Sequence, residues 1–216
     1  MRVVIAGGSG FLGRALSSRL AKDGHAVVVL TRDGLAPRSP GLVRYAEWTP
    51  NGESGAWARE LDGADAIVNL AGAGIADKRW TAARKRVLRD SRILSTRSLV
   101  QAVRAFSRRP STFLQQSAEG YYGAFDAGPD LDESSPAGRD FLARLCADWE
   151  AEAQPVAVRG CRLAVLRSAV VLARDAGALP KMVLPFRFFA GGPLGSGRQW
   201  LSWIHIDDWS RWRCGR

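Results

Sequence analysis

Seven residues near the N-terminus have the types and spacing of a phosphate-binding turn, Gly7-Gly8-Ser9-Gly10-Phe11-Leu12-Gly13. They fit G-x-x-G-x-x-G counted from Gly7 and G-x-G-x-x-G counted from Gly8. Glycines permit a tight turn and a close approach of backbone to a pyrophosphate, and a following helix N-terminus attracts its negative charge. The segment therefore predicts a dinucleotide site if a strand precedes it and a helix follows. A turn that only packs a helix on a sheet is the alternative.

The flanking sequence supplies that context. Residues 2–6 form a short run rich in Val and Ile that is typical of a buried parallel strand. Residues 11–22 repeat apolar side chains at helical spacing, and Gly24 stands where a helix C-cap is expected. A second apolar run covers residues 26–31. Strand, turn, helix and strand in this order predict a parallel pair with a right-handed crossover.

The choice of nucleotide is expected at the end of the second strand, where the sequence reads Leu30-Thr31-Arg32-Asp33. A carboxylate at this place favours NAD, whereas an arginine accommodates the 2′-phosphate of NADP. Arg32 favours NADP, and the adjacent Asp33 keeps NAD open. The other interpretation of Arg32 is a solvated loop charge.

The alternation of strand and helix patterns continues along the chain and predicts an α/β fold with a doubly wound parallel sheet. The further predicted strands are 42–48, 66–70, 112–116 and 161–167, and the further helices are 81–106 and 139–153. A loop over 120–138 follows a strand end, where ligands bind in such sheets. A glycine-rich stretch at 190–197 precedes a strand-like run at 200–206. We expect a nucleotide-binding domain over 1–168 and a substrate-binding segment over 169–216.

Composition excludes several classes of protein. The 216 residues can bury a core without disulfides or metals, and 46% hydrophobic residues exclude a disordered chain. The three cysteines, Cys146, Cys161 and Cys214, are widely spaced, which argues against a disulfide framework or a metal site. No leader or long apolar stretch is apparent, so we expect a cytoplasmic protein without a membrane partner. The net charge of +10 is diffuse, and nucleic-acid binding by the basic stretch 78–109 is a minor alternative.

Further motifs carry a family resemblance. They are Asn69-Leu70-Ala71-Gly72, Lys78 to Thr81, Ser91-Arg92 with Thr96, Ser117 to Gly123, Asp148 to Glu150, Gly191 to Gly197, and Trp203 to Asp208. With the glycine turn, they resemble the extended short-chain dehydrogenase/reductases, or NAD-dependent epimerases and dehydratases. The resemblance is strongest to the atypical YfcH-like epimerase family. It implies an NAD(P)-binding Rossmann fold in which Leu70, Ala71 and Gly72 line the cofactor.

The same resemblance implies a Ser or Thr after the fifth strand and a Tyr-x-x-x-Lys pair on the next helix. Ser117 matches the first of these positions, both as a cofactor-side and as a catalytic residue. With Glu150 as the anchor, Leu142 and Cys146 stand where the tyrosine and lysine are expected, and no tyrosine of this chain has a lysine four residues later. Tyr122 is then the best substitute acid, with Glu133 as a second proton carrier. A local packing role for Tyr122 and a turn or cap role for Glu133 are the alternatives.

Three functions remain open at this point. The first is an NADP-dependent oxidoreductase or an epimerase that acts on a small molecule such as a nucleotide sugar. The second is an NAD(P)-binding sensor or scaffold without catalysis, and the third is a basic nucleic-acid-binding protein. The resemblance also implies a homodimer that pairs through its long helices. After Asp208 the sequence departs from the family pattern, so we expect a truncated C-terminus, an incomplete substrate lobe and exposed apolar side chains over 182–189.

Overall fold

The computed structural model describes residues 1–32, 41–106, 108–125, 130–193, 195–197 and 199–211. Its strands are β1 Arg2–Ala6, β2 Ala26–Thr31, β3 Val43–Glu47, β4 Ala66–Asn69, β5 Thr112–Ala118, β6 Arg162–Ser168, β7 Val170–Leu172 and β8 Trp203–His205. Its α-helices are α1 Phe11–Lys22, α2 Ala82–Ala105, α3 Phe141–Ala153, α4 Ala178–Arg187 and α5 Ile206–Ser210. Short 3-10 helices lie at Ala56–Glu60, Glu119–Tyr121 and Gln154–Arg159.

Six of these strands form one parallel sheet in the order β3-β2-β1-β4-β5-β6. This order confirms the predicted doubly wound Rossmann-like fold. The chain reverses its direction of winding between β1 and β4, so the loops after these two strands open a crevice at the carboxyl edge of the sheet. The strands β7 and β8 form a separate two-stranded parallel sheet.

Alternate side chains of β1 enter two apolar clusters on opposite faces of the sheet, as expected for strands covered on both sides. Val4 and Ala6 belong to the cluster that includes Leu99 of α2. Val3 and Ile5 belong to the cluster on the α1 face. That second cluster also contains the following residues of α1 and α5: Leu16, Leu20 and Trp209. The helices on both faces of the sheet therefore pack against β1, the strand that leads into the glycine turn.

The long helices begin one or two residues later than predicted because polar side chains cap them. The Thr81 hydroxyl accepts a hydrogen bond from the Arg84 N–H at 3.1 Å, and Asp140 Oδ1 accepts one from the Ala143 N–H at 2.8 Å. Such caps satisfy N–H groups that have no partner inside the helix. The predicted strand at 200–206 was too long, since β8 has three residues and α5 follows it directly.

Two elements, β7 and α4, are not indicated by the sequence pattern. Helix α4 contains Pro185, which normally predicts the end of a helix. The apolar side chains over 182–189 are exposed, as expected, with Phe186 of α4 at 59% and Phe189, two residues after the helix, at 100%. Within the described residues, no helix is long and apolar enough to span a membrane. The same residues hold no group of three His, Cys, Asp or Glu side chains that could bind a metal ion.

Candidate functional site

The glycine turn joins β1 to α1 at the crevice, as the sequence predicts. Gly10 is the N-cap of α1, its N–H donates to the Gly7 carbonyl at 3.0 Å, and Ser9 and Gly10 are exposed. The first turn of α1 has no acidic residue. The N-terminal N–H groups of α1 and its positive dipole end therefore lie beside exposed residues, where an anion can reach them.

Three glycines of the turn are required by contacts within the protein. Gly7 has a φ of +78°, and a Cβ added to it would lie 2.7 Å from the Leu70 carbonyl. A Cβ on Gly8 would lie 2.7 Å from the Val29 side chain, and one on Gly13 would overlap Gly8. Phe11 and Leu12 are half-buried, and the Phe11 ring occupies the space beside Gly177. The turn is thus held tightly between β2, the segment after β4 and the N-terminus of α4.

The segment after β4 lies on the other side of the crevice. Leu70 and Ala71 pack against Gly7, and Gly72 is exposed. Asn69 holds this segment, since its Oδ1 accepts from the Ala71 N–H at 3.2 Å and its Nδ2 donates to Thr96 Oγ1 at 2.8 Å. The structure therefore brings together the three predicted cofactor-lining residues and the glycine turn.

Arg32 directly follows β2, at the same edge of the sheet, and is exposed. This is where an arginine can reach a ribose 2′-phosphate in a Rossmann fold. Asp33, the residue that keeps NAD open, lies outside the described residues.

Ser117 is buried at the carboxyl end of β5, where it pairs in register with Arg167 of β6. The Ser117 hydroxyl donates to Glu150 Oε1 at 2.5 Å. Arg167 donates to both oxygens of the same carboxylate, at 2.9 Å to Oε1 and 2.8 Å to Oε2. Glu150, which the sequence analysis used only as an anchor, is therefore the centre of a charged group beside Ser117.

Tyr122 also belongs to this group. Its hydroxyl oxygen accepts a hydrogen bond from Arg167 Nη1 at 3.1 Å, and the Arg167 guanidinium lies 3.4 Å from the centre of the Tyr121 ring. Glu133 is exposed, and the contact that joins it to the group is its backbone carbonyl, 3.3 Å from Arg167 Nη1. The structure places Ser117 and Tyr122 around one guanidinium, and Glu133 at the rim.

Leu142 and Cys146, which stand at the positions of the expected Tyr-x-x-x-Lys pair, lie against the end of β5 and the segment that follows it. Leu142 lies against Gly120, and Cys146 lies beside Ser117. Arg92 of α2 lies next to Cys146 and fills the space beside Gly72. Hydrophobic and thiol side chains therefore occupy the two places of the pair, and an arginine from another helix stands next to the thiol.

Burial and charge shift several pKa values in this region. Hydrogen bonds from Arg167 to Glu150, and secondarily to Tyr122, raise the pKa of Arg167, so this residue is a permanent cation. Burial raises the pKa of Cys146, although the Ser117 hydroxyl and the Arg92 charge oppose that rise. Burial also raises the pKa of Glu119, which a contact with Ser202 partly offsets. Burial lowers the pKa of Arg92 to about 10, which still leaves it charged at neutral pH.

Two residues at the crevice, Arg92 and Arg167, were not predicted as site residues. Arg167 is the last but one residue of β6, so its position at the end of a predicted parallel strand was an available signal. Arg92 lies in a motif that carries the family resemblance, but its burial depends on contacts with α3 and the segment after β4. Such long-range contacts cannot be seen in helical spacing alone.

Comparison with known proteins identifies the family of this chain. The model of the NAD dependent epimerase/dehydratase family matches residues 3–212. The chain belongs to this family. Among curated members, the Arabidopsis thaliana epimerase family protein SDR39U1 homolog, chloroplastic, is 41% identical over 96% of this chain and 60% of its own length. The Bacillus subtilis epimerase family protein YfhF is 38% identical over 96% of this chain and 67% of its own.

Solved structures of the epimerase/dehydratase family show the same fold. The human epimerase family protein SDR39U1 (isoform 2), crystallised with NADPH, superposes with a TM-score of 0.82 at 36% identity, over 97% of this chain and 68% of that protein. A nucleoside-diphosphate sugar epimerase from Corynebacterium glutamicum superposes with a TM-score of 0.78 at 37% identity, over 97% and 42% of the two chains. The chain thus spans about three-fifths to two-thirds of the length of the curated relatives.

Proposed function

We propose that this chain binds NADPH in the crevice between β1 and β4. The observation that carries the proposal is the glycine turn at the switch point of the sheet, with the N-terminus of α1 free of acidic residues and next to exposed Ser9 and Gly10. The human relative crystallised with NADPH supports this nucleotide. In this proposal residues 1–168 bind the cofactor and residues 169–216 contribute to the substrate side.

The residues of the crevice fit such a cofactor in three places. The N–H groups at the start of α1 can bind the pyrophosphate, Arg32 can bind the 2′-phosphate, and Leu70 to Gly72 can line the nucleotide. NAD uses the same turn and is the weaker alternative, because its ribose lacks the 2′-phosphate charge that Arg32 can bind.

We infer that the reaction is an oxidoreduction or an epimerisation of a small polar substrate, with nucleotide sugars as the substrate class. The bound nucleotide would supply or accept a hydride. We propose Tyr122 as the residue that exchanges a proton with the substrate, because Arg167 donates to its oxygen and its own O–H can then reach another acceptor. Ser117 and Glu133 are proposed as the neighbouring polar groups.

One contact favours a second function, that of a nucleotide-binding sensor or scaffold. The single donor of the Ser117 hydroxyl is directed to Glu150, whose second oxygen is bound to Arg167. A hydroxyl that is committed to an internal ion pair is not free to donate to a substrate oxygen. Binding would then occur without turnover.

Nucleotide binding is tested by titration of the wild-type protein with NADPH and with NADH, followed through the fluorescence of its eight tryptophans. We expect tighter binding of NADPH, and an increase of its Kd by roughly tenfold or more in Arg32→Ala with little change for NADH, because a charged contact is worth more than 1.4 kcal/mol. Arg19→Ala, an exposed arginine in the last turn of α1, is the matched control. A wild-type protein that is folded and binds neither nucleotide would exclude the proposal.

Turnover separates the two functions. The wild type is incubated with a panel of nucleotide sugars and either NADPH or NADP⁺, and the oxidation or reduction of the nucleotide and the configuration of the recovered sugar are measured. Turnover that Tyr122→Phe abolishes supports the enzyme. Tight NADPH binding with no change in any sugar supports the sensor for this substrate class.

A further inference from the structure

Arg92 is a buried cation within the described part of the chain. It lies in the middle of α2 and is 9% exposed. Its Nη1 donates to the Ala73 carbonyl at 3.1 Å and to the Leu88 carbonyl at 3.0 Å, and its guanidinium lies 5.0 Å from the centre of the Trp149 ring. Carbonyl oxygens and an aromatic face carry only partial negative charge, so they offset a full positive charge incompletely.

No carboxylate among the described residues forms an ion pair with Arg92, whereas two other arginines of α2 each have a carboxylate partner. Arg89 pairs with Asp148 at 3.2 Å, and Arg97 pairs with Glu152 at 2.9 Å. Nη1 makes the hydrogen bonds of Arg92 within the described residues, so the N–H groups of Nε and Nη2 can serve a ligand. A buried charge without a countercharge is costly and is typical of a functional site.

Arg92 lies between the segment after β4 and the residues at the end of β5. A Cβ placed on Gly72 would lie 3.0 Å from Arg92 Cζ, and Gly72 continues the segment that packs on Gly7. On its other side, Arg92 lies next to Cys146, which in turn lies beside Ser117. The guanidinium therefore stands between the glycine turn, where the pyrophosphate is proposed to bind, and the end of β5.

We propose that Arg92 contacts the cofactor and binds the ribose and phosphate oxygens of the nicotinamide half of NADPH. This inference rests on the proposed function. A guanidinium supplies several N–H donors in a fixed plane together with a positive charge, which suits a ligand rich in hydroxyl and phosphate oxygens. The Arg92 guanidinium lies next to Cys146, which occupies the position at which the family resemblance leads us to expect a lysine. Arg92 brings the charge to that place from α2.

The test compares two ligands that share one half. NADPH contains both halves of the dinucleotide, whereas adenosine 2′,5′-bisphosphate contains the adenosine half alone. We expect Arg92→Met to raise the Kd for NADPH at least tenfold and to leave the Kd for adenosine 2′,5′-bisphosphate within twofold of the wild type. Arg97→Met, which removes an exposed arginine of the same helix, is the control and should change neither value.

A second pair of variants keeps the test decisive if Arg92→Met does not fold. Arg92→Lys retains a charge but loses the planar donor set, so we expect a smaller loss of NADPH affinity. In the Arg92→Lys/Cys146→Lys double variant, a cation at position 146 should restore part of that loss. If a folded Arg92 variant binds both ligands more weakly by the same factor, or binds NADPH as tightly as the wild type does, the inference is overturned. The proposed function then still stands, because the wild type binds NADPH. Failure of the wild type to bind NADPH would instead remove the proposed function.

Discussion

Ser117 and Arg167 stand side by side at the ends of neighbouring parallel strands and bind the same carboxylate oxygen, Oε1 of Glu150, at 2.5 and 2.9 Å. The carboxylate comes from α3, so one ion pair fastens this helix to two strands. Both charged side chains are shielded, at 18% and 10% exposure. A pair of this kind has a structural role whatever the chemistry of the crevice.

Removal of the carboxylate should destabilise the protein strongly. In Glu150→Ala the Arg167 charge loses its partner in a shielded place, and we expect a loss of about 3 kcal/mol in the free energy of unfolding. Ser117→Ala removes one hydrogen bond to a charged acceptor and should cost about 1.5 kcal/mol. Urea denaturation at pH 7 measures both. Glu152→Ala, which breaks the more exposed pair with Arg97, should cost less than about 1 kcal/mol, and equal losses at positions 150 and 152 would contradict the assignment.

The glycine turn should not accept even a methyl group at Gly13. A Cβ there would overlap Gly8 and the Gly7 carbonyl, so α1 would have to move away from β1. We expect Gly13→Ala to reduce the free energy of unfolding by about 2 kcal/mol or more and to weaken NADPH binding. Gly192→Ala is the control, because nothing lies within 4 Å of an added Cβ at that glycine. Thermal unfolding with and without NADPH distinguishes the two variants.

Glu60 should contribute to the acid sensitivity of the fold. A hydrogen bond from Arg44, together with the Arg2 and Arg59 charges, holds the pKa of Glu60 below its ordinary value of 4.5. The ionised form therefore favours the folded state, and its contribution is complete above pH 4.5 and is lost as the pH falls through the lower folded pKa. Glu60→Gln should be less stable than the wild type at pH 7, by about 1 kcal/mol.

The difference between Glu60→Gln and the wild type should disappear near the acid end of the titration. Urea denaturation at a series of pH values provides the measurement. The exposed Glu53→Gln serves as the control, and a stability difference at position 60 that persists unchanged in acid would mean that the carboxylate charge is not its cause.

The thiols of Cys146 and Cys161 should react slowly in the native protein. Burial raises the pKa of both, that of Cys161 to about 11, so little thiolate is present at pH 8. We expect alkylation by iodoacetamide at least tenfold slower than in denaturing urea, measured by mass spectrometry of the two peptides. Rapid native labelling of Cys146 would show that its side chain is accessible from the crevice.

The features that depend on local sequence were predictable. The glycine turn, the strand before it and the helix after it follow from apolar spacing and from residue types that few other structures require. The ends of parallel strands lie at one edge of a sheet, so the positions of Arg32, Leu70 and Ser117 relative to the turn followed once the strands were identified.

The internal contacts of the site depend on tertiary packing and were not predictable. Glu150 and Arg167 come together with Ser117 across separations of 33 and 17 residues. The sequence analysis placed Arg92 in a family motif and in the basic stretch 78–109, and only the packing of α2 on α3 and on Gly72 removes it from solvent. Helix α4 was missed because Pro185 within it signals a break.

The contacts of Gly7, Gly8 and Gly13 also bear on how glycine patterns are interpreted in other chains. Each of these glycines is required by the Leu70 backbone, the Val29 side chain or another glycine, all of which belong to the polypeptide itself. A descendant that no longer used a nucleotide would still need them in order to close α1 onto the sheet. The pattern is therefore a marker of architecture first, and Arg32 after β2 and Arg92, which has no carboxylate partner among the described residues, are better guides to whether a ligand is still bound.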